Sequence, residues 1–116
     1  MGIGLQQTPA LILSGASLSA EIRFGTQVPI GIFMPAAWDA ANLTFQVSVD
    51  DGVTWGNMYD SSGNEFTVNA AASRYLVLDP NSWVGVNHIK IRSGTASVPV
   101  NQTANRSLTF ATRIYG

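Results

Sequence analysis

The chain has 116 residues, one histidine, no cysteine and a net charge of −1. That length can bury a single core, and the missing thiols exclude a disulfide framework, a thiolate metal site and a cysteine nucleophile. Charged residues are 11% of the chain against roughly 25% in an ordinary soluble domain, which excludes the basic stripe that nucleic-acid backbones require and leaves a surface of neutral groups.

Residues 1–14 contain Gly2, Gly4, Gln6, Gln7, Thr8 and Pro9. This composition reads either as an N-terminal arm that orders on a neighbouring subunit or as a frayed terminus, ahead of a single domain over 15–116. The apolar run from Ala10 to Leu13 is too short for a signal or a membrane span, so a soluble product made in the cytoplasm, with no membrane partner, is expected. Leu18 to Phe24 alternates at its end. Val28, Ile30, Ile32 and Met34 share one phase of a strand whose prolines, Pro29 and Pro35, point to an edge or a strand end. Pro35 to Ala41 has the only appreciable helix propensity, enough for one or two turns. Leu43-Thr-Phe45-Gln-Val47-Ser-Val49 alternates most cleanly, placing Leu43, Phe45, Val47 and Val49 inside and Thr44, Gln46 and Ser48 outside.

Asp50-Asp51-Gly52 and Ser61-Ser62-Gly63-Asn64 carry tight-turn chemistry. Phe66 to Val68, Tyr75 to Leu78, His88 to Arg92 and Leu108 to Tyr115 continue the strands, with a short helical turn starting at Asp79 or Pro80. Arg23, Arg74, Arg92, Arg106 and Arg113 fall mostly on polar phases and read as outward-facing. About eight or nine short strands with almost no helix indicate an all-β fold, an antiparallel β-sandwich or jelly roll.

Candidate chemistry is sparse. His88 lies in a strand pattern with no serine or cysteine motif beside it and reads as a structural or surface residue. Asp50, Asp51, Asp60 and Glu65, with Asn64, offer oxygen atoms suited either to calcium or to turn stabilisation, and their spacing matches no calcium loop. No catalytic set, cofactor or metal site is expected. The binding-type signal is aromatic: Trp38, Trp55 and Trp83 lie in or beside loops, with Tyr59 near Trp55. Such rings either cap the core or stack on sugars or a protein partner.

Met34-Pro-Ala-Ala-Trp38, Leu43-Thr-Phe-Gln-Val47, Asp51-Gly-Val-Thr-Trp55, Tyr59-Asp60, Arg74-Tyr75, Leu78-Asp79-Pro80, Ile91-Arg-Ser-Gly94 and Pro99-Val-Asn-Gln102 together resemble the small virion-associated proteins of tailed bacteriophages. Phe45 to Trp55 with His88 to Arg92 is similar, over a shorter stretch, to discoidin-like galactose-binding jelly rolls. The first resemblance implies a structural virion protein, a head decoration, cement or fibre component. Its partners would be the major capsid protein or other virion proteins, with the chain present as a homo-oligomer or in many copies. The second supports the jelly-roll fold more than any ligand; the alternative function, a carbohydrate-binding adsorption module on head or tail that holds a glycan, has its signal in the tryptophans.

Overall fold

A computed structural model describes residues 5–114, so Met1 to Gly4 of the expected arm and Tyr115 of the last expected strand lie outside the described residues. The described strands are β1 (Gln6–Ile12), β2 (Ile22–Arg23), β3 (Gln27–Phe33), β4 (Leu43–Ser48), β5 (Gly56–Asn57), β6 (Tyr75–Val77), β7 (His88–Ser93) and β8 (Arg106–Ile114). They form two four-stranded antiparallel sheets, ordered β1-β8-β3-β6 and β2-β7-β4-β5. Every connection crosses between the sheets except the β4–β5 hairpin, which is the strand order of a jelly roll.

The sequence pattern explains the core. Ala10, Ile12, Ile32, Leu108 and Phe110 of the first sheet face Leu43, Phe45, Ile89 and Ile91 of the second, all buried. Asp79 caps a 3-10 turn over Pro80–Ser82, accepting the Asn81 N–H at 3.0 Å. The turn delivers Trp83 into the centre, where it packs edge-on at 4.9 Å from Phe45, 5.5 Å from Phe66 and 6.2 Å from Phe110. These T-shaped contacts join both sheets through one cluster of rings.

Several expectations are corrected. Gln6–Ile12 is neither arm nor frayed end but an integral strand, in register with β8 from Gln6 opposite Thr112 to Ile12 opposite Arg106. Its polar start hid it, because an edge strand needs only alternate apolar residues, here Ala10 and Ile12. Pro9 is tolerated since β1 is an edge, and a proline fits that ladder only where its missing N–H would face outward. Pro29, by contrast, sits in an interior strand, at the register shift between Pro29 and Gly31 and beyond the reach of β6, which pairs only with Gly31 to Phe33. A bulge with one vacant flank accepts proline.

In β4, Leu43 and Phe45 are buried as expected, but Val49 is 92% exposed. It lies past the strand, where the chain enters the turn made by Asp51 (φ 66°) and Gly52 (φ 87°). Thr44 and Ser48 are buried rather than outside, because charged residues and loops cover that face of the sheet. Pro35 to Ala41 forms bends and no helix; the Asp39 N–H donates to Gln102 Oε1 at 2.8 Å and its carboxylate accepts from Arg106 at 2.7 Å, and these tertiary contacts override propensity. Phe66 to Val68 is not a full strand: Val68 makes a single bridge to Leu43.

Candidate functional site

The two sheets present outer faces of opposite character. On the second sheet, cross-strand pairs place Ser48 beside His88, Gln46 beside Lys90 and Thr44 beside Arg92. Nearly every such group is tied down. Arg92 is buried, not outward-facing; it donates to Asn57 Oδ1 at 2.8 Å, Glu65 Oε2 at 3.2 Å and Thr44 Oγ1 at 3.3 Å. Lys90 Nζ lies 4.5 Å over the Trp55 ring, a cation–π contact. His88 is buried between two carboxylates, with Nδ1 2.7 Å from Glu21 Oε2 and Nε2 3.3 Å from Asp51 Oδ1. The Glu21 contact lacks the alignment of a hydrogen bond and acts as a close electrostatic approach. Arg23 reaches the same pair, at 3.2 Å from Glu21 and 3.8 Å from Asp51.

A cavity of about 440 Å³ beside His88 is lined in part by Ser48, Asp50, Asp51 and Asn87. A serine, a histidine and acids in one cleft suggest nucleophilic chemistry, yet the bonds are committed elsewhere. Ser48 Oγ donates to Asp50 Oδ1 at 2.8 Å and accepts the N–H groups of Gly52 at 2.9 Å and Asp50 at 3.3 Å. Asp50 Oδ1 also accepts the Thr54 N–H at 2.8 Å. That backbone bond, followed by the Thr54 and Ser48 side chains, lowers the Asp50 carboxyl from 3.8 to about 2. This hydrogen-bonded acid closes the β4–β5 turn. No cluster of three or more metal-ligating groups occurs among the described residues.

The depressed Asp50 carboxyl has a pH consequence of definite sign. Its stabilisation is fully present above pH 3.8 and is lost as pH falls through about 2. Asp39 works in the same direction. The Arg106 guanidinium, donating to Asp39 Oδ1 at 2.7 Å, lowers its carboxyl most strongly and burial opposes this; Arg106 is therefore inward-tied, against expectation. Thermal unfolding scanned from pH 5 to pH 2 should show a falling midpoint, and Asp50→Asn should shallow that fall. An equally steep fall in the variant would remove Asp50 as a cause.

The expected aromatic contacts do not form one platform. Trp83 is 0% exposed and cannot meet a partner, because the core uses its ring. Trp38 and Trp55 are half-buried on separate loops, their indole N–H groups donating to Ala41 and Gly52 carbonyls, each at 3.0 Å. Tyr59 is exposed beside a shallow cavity of about 360 Å³ shared with Met58 and Phe66.

The first sheet's outer face escaped the sequence reading. Its rows run Pro9-Thr109-Phe33-Tyr75 and Gln7-Ala111-Gly31-Val77, with Leu11 beside Ser107. Val77 is 82% and Phe33 59% exposed, and Leu11 and Tyr75 are also exposed. Phe33 and Tyr75 pair at 6.0 Å, and the end of the Tyr75 ring lies where a Cβ on Gly31 would be, so a larger residue there would push that exposed ring aside. These rows contain no charged residue. The available signal was apolar residues on both phases of Gly31-Ile-Phe33 and Tyr75-Leu-Val-Leu78, which marks a strand with something to cover on each side. Comparison with family models, curated proteins and solved structures finds no match.

Proposed function

We propose that this chain is a structural protein of a tailed-bacteriophage virion, which binds the capsid surface as a decoration, cement or head-fibre component and does no catalysis. One observation carries the reading: the middle of the outer face of the β1-β8-β3-β6 sheet exposes Leu11, Phe33, Tyr75 and Val77 among neutral residues, with Arg113 at its end, while the ionisable groups of the opposite face are internally paired. Contiguous exposed apolar surface marks protein contacts.

Size bears on the kind of contact. Four strands about 4.8 Å apart, with a rise of about 3.3 Å per residue, give a face on the order of 400 Å². A stable one-to-one complex buries roughly 800 Å² per partner. The face therefore suits many weak equivalent contacts on a repeating surface, where avidity supplies the affinity.

The test is co-sedimentation with particles that lack the protein. Phe33→Ser combined with Val77→Glu should reduce occupancy at least tenfold while leaving circular dichroism and the melting midpoint near wild type, since both side chains point into solvent. Binding should weaken little between low and physiological salt, because no charge pair drives it. Full occupancy by the double variant, or steep salt dependence, would reject this face as the contact.

A further inference from the structure

A cleft of about 490 Å³ opens at one side of the sandwich, between edge strand β6 and residues 66–69. The hydrogen bonds fix which backbone groups face it. Met34 N–H donates to the Arg74 carbonyl at 2.8 Å, and Leu78 N–H donates to the Ile30 carbonyl at 3.0 Å. In an antiparallel ladder alternate residues bond to the neighbour, so Arg74, Leu76 and Leu78 face β3 while Tyr75 and Val77 turn their N–H and C=O groups the other way. Across the cleft, Leu43 and Val68 exchange both of their bonds, each at 2.9 Å. Thr67 and Asn69 are therefore turned away from β4 by the same rule.

Two unpaired backbone edges thus border one cleft. Its apolar lining comes from Phe66, Leu76 and Leu78, and its only acid is Asp79, whose Oδ1 already accepts the Asn81 N–H. We infer that this cleft receives an extended, uncharged polypeptide segment donated by another protein, which pairs with both edges and closes that side of the sandwich. A guest strand presents N–H and C=O groups to left and right at successive residues, so one strand satisfies Tyr75 and Val77 on one side and Thr67 and Asn69 on the other. About four to five residues of guest, at a rise of about 3.3 Å each, span the two edges. Alternate guest side chains meet Phe66, Leu76 and Leu78, which sets a preference for apolar residues at every second position.

The probe is the peptide acetyl-Thr-Val-Thr-Val-Thr-amide, titrated into the full chain while backbone amides are followed by NMR. At ten times its Kd, amide exchange at Thr67, Asn69, Tyr75 and Val77 should slow about tenfold. N-methylation of the peptide at either set of alternate residues should abolish binding, as should Val77→Pro, which removes an N–H that bonds to nothing in the fold. Should Val77→Pro fail to fold, the methylated peptides still decide the matter in the wild-type chain. Equal binding by the methylated peptides, or no slowing at these four amides at millimolar peptide, would overturn the inference. The cleft shares Tyr75 and Val77 with the proposed particle-binding face, so the wild-type chain separates the two readings: coating of particles with no slowing at these four amides would sink only this inference, whereas peptide binding without particle binding would sink only the virion reading.

Discussion

Removing residues 1–13 should abolish cooperative folding. The truncated chain loses Ala10 and Ile12 from the core and the whole ladder between β1 and β8. It also bares the central strand β8, including Leu108 and Phe110, which are buried in the intact protein. Losing a fully buried isoleucine side chain alone costs about 2–5 kcal/mol, against a total stability of about 5–15 kcal/mol for a domain. Loss of an entire strand exceeds that margin. The expected result is a broad, non-cooperative thermal trace and the disappearance of dispersed amide signals, with Ile12→Ala in the full chain folding but destabilised by about 2–5 kcal/mol. A truncated protein that melts sharply near the wild-type midpoint would show that β1 is dispensable.

Arg92→Ala should be among the most damaging single changes outside the apolar core. The guanidinium is buried, and its removal leaves Glu65, whose side chain is only 17% exposed, without a counter-charge. The Ala96 N–H still donates to Glu65 at 3.1 Å, which softens the loss without replacing it. Asn57 Oδ1 also loses a donor. Breaking a buried pair from one side typically costs about 3–5 kcal/mol, whereas replacing both members with apolar groups is often neutral. Denaturant unfolding should therefore place Arg92→Ala about 3–5 kcal/mol below wild type, with Arg92→Met plus Glu65→Leu recovering most of it. A cost under about 1 kcal/mol for Arg92→Ala would mean the pair behaves as a surface bridge.

Period and turn chemistry were enough to read most of the fold. Leu43 and Phe45 point inward, Asp79 starts its turn, and Asp50 to Gly52 bends back as its residues demand. What escaped has a common cause: alternation tells which residues differ in polarity, not what covers each face. Thr44, Arg92 and Ser48 sit on a polar phase and are buried all the same, because hydrogen-bonded loops lie over them. Phe33 and Val77 sit on an apolar face and are exposed. The tryptophans show the same limit, since a loop position alone did not distinguish Trp83, delivered to the centre by a 3-10 turn, from Trp38 and Trp55 on the rim. The facing edges of Thr67, Asn69, Tyr75 and Val77 depend on hydrogen-bond parity between segments distant in sequence, which no local pattern encodes.

The placement of Pro9 in the middle of the β1 edge bears on growth. Proteins crowded side by side meet at local concentrations at which an unbroken seven-residue edge would recruit the same edge of its neighbour and extend sheet upon sheet into a fibre. Pro9 has no N–H to give along that margin, so the run of donors is broken at its centre. The two margins of the first sheet are therefore unequal, one blunted against strand pairing and one bordering an open cleft. A molecule with a single receptive margin terminates after one addition. It can be packed densely without seeding polymerisation.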